Sequence, residues 1–220
     1  METLISLKKS TNEGIVNFCI ELSYKGIIIT QKRKKIIDWK KNHNTERIIP
    51  ELSFNCIMLN QKKELIDHLY PSDTDPDQSL LYGLPPGKNY SKNNAFSYLF
   101  QRFEDENITT ELNNKAILIC LNRLPQLVRY IYFFINCQHN LGFLSLSELK
   151  IGLYKFSVDF FREKIVEKEI NTFSLQEPKS LLVAQLYRSE NEWFFSLSQK
   201  SYPDAFVGQT IFSLLQTETD

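Results

Sequence analysis

Asp73, Asp75 and Asp77 stand at alternate positions, the spacing at which an EF-hand loop offers its first carboxylates to Ca2+. Such a loop then needs glycine at its sixth position and glutamate at its twelfth. Gln78 and Leu84 stand there instead, and Pro76 stiffens the middle, so the segment reads as an exposed acidic turn. Cys137 and His139 form the one close Cys/His pair. With His43 and His68 as the remaining histidines, nothing nearby completes four zinc ligands or orients a nucleophile. A phosphate-cradling glycine loop is absent as well, and no enzymatic activity is expected.

A second chemistry is electrostatic. Gln31 to Arg47 carries Lys32, Arg33, Lys34, Lys35, Lys40, Lys41 and Arg47 against Asp38 and Glu46. Trp39 lies between Ile36-Ile37 and Lys40-Lys41, which makes the segment amphipathic and suits it to an interface. Lys32, Arg33, Lys34, Lys35 and Trp39 are thus the candidate partner-binding residues, for an anionic membrane surface or a protein. The bland alternative is a solvated loop. Nucleic acid is not expected, because no zinc finger, helix-turn-helix or RNA-binding aromatic signature accompanies the lysines.

The elements that must position these groups are mostly strands. Val16, Phe18, Ile20 and Leu22 alternate with polar residues, and Leu52, Phe54, Cys56 and Met58 share one face of a run from Leu52 to Leu59. Ala116–Leu121 is apolar on both faces, and Tyr130–Ile135 is rich in β-formers. Further strands are expected at Leu4–Leu7, Leu65–Tyr70, Phe96–Phe103, Ile151–Val158, Ile165–Ile170, Leu181–Tyr187 and Trp193–Leu197. Ser145–Glu148 could form one helical turn, and Phe206–Leu215 is the convincing helix. The pattern predicts an all-β, two-sheet antiparallel sandwich with a short C-terminal helix. It reads as one domain over residues 1–220, with a basic loop, 31–47, and a polar loop, 71–94, as insertions.

Lysine plus arginine and aspartate plus glutamate both total 26, so no global field draws the chain to nucleic acid or membrane. Cys19, Cys56, Cys120 and Cys137 are far apart and mostly inside apolar runs, which predicts buried free thiols in a reducing compartment. With no signal-peptide pattern at the N-terminus and no apolar run long enough to span a bilayer, the expected location is cytoplasmic.

The segment Leu124-Pro125-Gln126-Leu127-Val128-Arg129-Tyr130-Ile131-Tyr132-Phe133 and the hairpin Leu186-Tyr187-Arg188 to Trp193-Phe194-Phe195 carry a resemblance, with the closing helix behind them. Leu4-Ile5-Ser6-Leu7-Lys8-Lys9 and Glu21-Leu22-Ser23-Tyr24 extend it toward the N-terminus. In order and spacing these resemble the TerD family of tellurium-resistance and stress-response proteins. The resemblance implies a two-sheet β-sandwich and Ca2+ bound by two acidic stretches. These fall on Glu51, Ser53 and Asn55, and on Asp105, Asn107, Glu111 and Asn113. Only Glu51 is charged in the first stretch, and the second lacks the family's glycines, so the implied Ca2+ site is weak or degenerate. The implied role is non-enzymatic: a stress-response module, relevant to tellurite or other chemical stress, working through a protein or membrane-surface partner, in the cytoplasm or peripheral to the inner membrane face. The alternative is a metal-independent scaffold, or a polyanion-binding module using the basic loop.

Overall fold

The computed structural model describes residues 4–7, 17–31, 44–48, 50–70, 84–88, 96–101, 112–156, 162–175 and 178–217. Among them, twelve strands form two antiparallel sheets. Sheet A runs in the order β1 (Leu4–Ser6), β12 (Glu192–Tyr202), β11 (Ser180–Ser189), β8 (Tyr130–Cys137), β4 (Leu52–Leu59) and β5 (Leu65–Leu69). Sheet B runs β10 (Arg162–Glu169), β9 (Leu146–Phe156), β2 (Asn17–Gln31), β7 (Asn113–Cys120) and β6 (Phe96–Gln101). A further strand, β3 (Asn44–Ile48), pairs with the far end of β2. One α-helix, α1 (Val207–Thr217), closes the described chain.

Period-two alternation places the core. Phe18, Ile20, Leu22 and Tyr24 of β2 and Ile117 and Ile119 of β7 face Leu52, Phe54, Cys56 and Met58 of β4, and the Trp193, Phe195 and Leu197 of β12 join them. Sheet A is buried on its other face too. There Ile57, Leu59, Tyr132, Phe134, Leu182 and Tyr202 pack under Val207, Ile211 and Leu214 of α1, residues spaced to fall on one helical face. Strands of sheet A are therefore apolar at successive positions, as Tyr130–Cys137 shows, whereas β10 keeps charged, solvent-facing side chains at the edge of sheet B.

The β11–β12 hairpin pairs Ser189 with Glu192, so its loop is the two residues Glu190-Asn191, with Glu190 at φ 54°. Two expectations are corrected. The helical turn lies at Gly142–Ser145, ahead of Ser145–Glu148, and Leu146 to Glu148 already belong to β9, where they are held by pairing with β2. The 31–47 segment is not loop throughout, because Ile27–Gln31 pairs with Asn44–Ile48 and extends the β2 hairpin. Residues 32–43, and most of the 71–94 loop including Asp73, Asp75 and Asp77, lie outside the described residues. All four cysteines are free thiols, three buried and Cys120 half-buried.

Candidate functional site

Strand β4 begins at the rim of the sandwich, where the first group of candidate metal ligands falls. Glu51 is exposed just before the strand. Ser53 and Asn55 follow on the face that α1 covers, because Leu52 and Phe54 take the face toward sheet B. Asn55 is fully buried and donates through Nδ2 to Ser53 Oγ at 3.0 Å and to Asn136 Oδ1 at 3.1 Å. Asn136 in turn donates to Thr210 Oγ1 at 2.7 Å, and the Thr210 hydroxyl donates to the Phe206 carbonyl at 3.1 Å. The result is a neutral hydrogen-bond chain that pins α1 to the centre of sheet A. Ser53, Asn136 and Ser180 stand in one row across β4, β8 and β11. Of the oxygens in this layer, Asn55 Oδ1 and Ser180 Oγ have no hydrogen-bond partner among the described residues.

Asn113 lies in the opposite sheet. It opens β7 and pairs with Tyr24 of β2, its side chain on the inward parity shared by Lys115, Ile117 and Ile119. It therefore shares no face with Ser53 or Asn55. It does share a rim with Glu51, whose charge reaches the Tyr24 phenol. Burial first, and Glu51 second, push that phenol up to about 12, while a hydrogen bond with the Leu52 backbone acts in the opposite sense. Lys115 stands at the same rim with only 5% of its surface exposed, and its ammonium donates to the Leu52 carbonyl. Asp105, Asn107 and Glu111 lie outside the described residues, as do Lys32, Arg33, Lys34, Lys35 and Trp39.

Ca2+ takes six to eight oxygens and enough negative charge to offset its lost hydration. The described candidate positions offer one carboxylate, an exposed Glu51, and otherwise only neutral oxygens split between two sheets, with an ammonium beside them. That donor set does not fit a divalent cation, and among the described residues no group of three or more His, Cys, Asp or Glu side chains could hold one.

Expecting β7 to begin at Ala116 hid Lys115 one residue ahead of it. The available signal was its parity, since Lys115 falls in step with Ile117 and Ile119. A second cluster went unread on the outer face of sheet B. Glu21, Gly152 and Glu167 form a row across β2, β9 and β10. The Tyr154 ring lies over Gly152, where an added Cβ would meet it at 2.6 Å. Arg162 stacks 3.8 Å from the centre of that ring and pairs with Glu21, which is only 8% exposed. Tyr154 donates to Glu167 Oε2 at 2.7 Å, and Lys164 lies 3.3 Å from Glu167 Oε1. Burial raises the Glu21 carboxyl against the opposing pull of Arg162, whereas the Tyr154 hydrogen bond lowers Glu167. Each acid has a basic partner, so the cluster is a closed network.

The Cys137–His139 pair and His68 each make contacts within the fold. Burial pushes the Cys137 thiol up, and the His139 side chain accepts the Leu141 backbone N–H at Nδ1, 3.2 Å away. His68 is buried, with Nε2 2.9 Å from the Pro86 carbonyl and its ring stacked on Tyr70. His43 lies outside the described residues.

Two facing antiparallel sheets define the class of fold, and solved structures are similar to it. The chain is similar to a homologue of the telluride resistance protein TerD, SCO6318 from Streptomyces coelicolor A3(2). The TM-score is 0.53 at 11% identity, covering 90% of this chain and 96% of that one. It is also similar to SAV2460, a protein of unknown function, with a TM-score of 0.52 at 10% identity, over 87% of this chain and 92% of that one. No family model and no curated protein matches the sequence. At such identities the likeness is one of fold, and the sandwich expected from the alternation is the one these proteins share.

Proposed function

We propose that this chain is a divergent TerD-like, non-enzymatic binding module whose Ca2+ site is degenerate and which acts through a protein or anionic-surface partner. The observation that carries the reading is the fate of the ligand positions. On a TerD-like frame, Ser53 and Asn55 are tied into a neutral chain that holds α1, and the buried Lys115 donates to the carbonyl of Leu52, the residue after Glu51. The engaged histidines and raised thiols support a role without catalysis. The partner surface is assigned to Lys32, Arg33, Lys34, Lys35 and Trp39. The biological setting, resistance to tellurite or related chemical stress, comes from the TerD likeness.

Thermal unfolding across a calcium titration tests the reading. A site with a dissociation constant of about 0.1 mM would stabilise the fold by roughly 2.3 kcal/mol at about 5 mM Ca2+. For a chain of this size that is a rise of about 5–9 °C. A shift under about 1 °C is expected instead, and the full rise would retire the degenerate site. Replacing Lys32, Arg33, Lys34 and Lys35 by glutamine is expected to weaken capture on phosphatidylserine vesicles or on a co-purifying protein. Unaltered capture would remove that segment from the mechanism.

A further inference from the structure

Lys115 projects into the sandwich from the inward face of β7 and crosses to the Leu52 carbonyl in the other sheet. Burying an ammonium is costly unless oxygen donors replace its water. The rim supplies such donors: the Leu52 carbonyl directly, with the Tyr24 phenol hydrogen-bonded to the same residue's backbone. Glu51 adds a negative charge one residue away, and Asn113 stands two positions before Lys115 on the same face. Cross-strand register aligns these groups, since Tyr24 is opposite Asn113 and Leu22 opposite Lys115. A rim so furnished attracts a cation, and the chain provides one from its own backbone.

We propose that Lys115 is the built-in cation of this rim. Its ammonium clamps the first carbonyl of β4 to sheet B and holds the ground that a divalent ion would need. The inference rests on the degenerate-site reading, and it adds a cause: the site is closed by a covalently attached competitor, beyond being short of acids. A tethered ammonium competes intramolecularly, at an effective concentration set by its own stem and independent of the ions in solution. Converting it to a carboxylate should then reopen the rim to metal, because one substitution changes the local charge by two units.

Full-length wild type and the Lys115→Met, Lys115→Arg and Lys115→Asp variants separate the possibilities. In Lys115→Met, amide exchange at Leu52 and Ser53 is expected to quicken about ten-fold or more while the β11–β12 amides keep their rates. Lys115→Arg should stay within about three-fold of wild type. Lys115→Asp should melt early in chelator and recover by about 5 °C or more in about 5 mM Ca2+, with no such response in wild type. Unchanged exchange in Lys115→Met would overturn the clamp, and so would a Lys115→Asp protein indifferent to Ca2+. Should the Met variant not fold, the wild-type Lys115 ammonium protons decide: slow solvent exchange by NMR supports the clamp and free exchange refutes it. If wild type itself is stabilised by Ca2+ while Lys115→Met loosens Leu52, the degenerate-site reading fails and the clamp remains.

Discussion

Hydrogen-bond direction decides what Asn55 can do. The Thr210 hydroxyl donates to the Phe206 carbonyl, so its oxygen must accept from Asn136 Nδ2. Asn136 then presents Oδ1 to β4, and Asn55 must answer with its own Nδ2. The helix carbonyl thereby fixes the orientation of two amides and turns Asn55 Oδ1 away from the chain. Asn136→Ala takes one hydrogen bond from each buried neighbour, from Asn55 Nδ2 and from Thr210 Oγ1, and is expected to cost about 1–3 kcal/mol, or roughly 2–12 °C in melting temperature. Thr210→Val should cost a similar amount and Thr210→Ser much less, which thermal denaturation can measure. Titration at the alkaline end follows from the same burial. The thiol of Cys19 moves from 9.0 to about 12, and the phenols of Tyr24, Tyr70 and Tyr154 move from 10.0 to about 12. A raised folded-state value stabilises fully below the unfolded value and is lost as pH climbs toward the folded one. Denaturant midpoints are therefore expected to hold to about pH 9 and fall from there toward about 12, with a shallower fall in Cys19→Ala. The oxygen-bearing residues of β4 were visible in the sequence. Their direction was not, because nothing in Ser53 or Asn55 says that a helix some 150 residues later will cover them.

Among the elements, the strands with one wet face or a strong β-former run were legible, and β4 runs from Leu52 to Leu59 as its alternation predicts. Boundaries suffered where neighbours decide them: β9 begins at Leu146 because β2 reaches it at Gly26, not because of its own composition. The outer face of sheet B was legible as polar but not as buried. Its burial depends on Gly152, whose missing side chain lets the Tyr154 ring lie flat and brings Arg162 over it. Gly152→Ala would push the ring aside, breaking the Tyr154–Glu167 hydrogen bond and the stack with Arg162. An expected loss of about 1–3 kcal/mol should appear in urea unfolding. Arg162→Ala should send the Glu21 carboxyl higher still, since it removes the largest influence opposing burial and leaves only the Ser23 hydrogen bond. A carbon-detected NMR titration of Glu21 would show that rise, and an unmoved midpoint would mean that Arg162 does not control it.

At the scale of the molecule, two apolar layers share one sheet. The inter-sheet core follows from period-two alternation, but the layer under α1 follows only from the fact that sheet A strands are apolar on both faces. Removing α1 would expose Ile57, Tyr132, Phe134 and Leu182 together, and a chain ending before Val207 is expected to bind hydrophobic dyes and aggregate. Sheet A also joins the earliest described strand to the last: Leu4–Ser6 pairs with Phe194–Ser196, and β4 waits for β8 and β8 for β11. During synthesis β4 can pair with β5 and β8, but that sheet cannot be completed until the β11–β12 hairpin has left the ribosome. Such distant pairings are expected to place the refolding time in the millisecond-to-second range or slower, which stopped-flow fluorescence would measure, and to leave the apolar strands of a half-built sheet exposed while the rest of the chain is made.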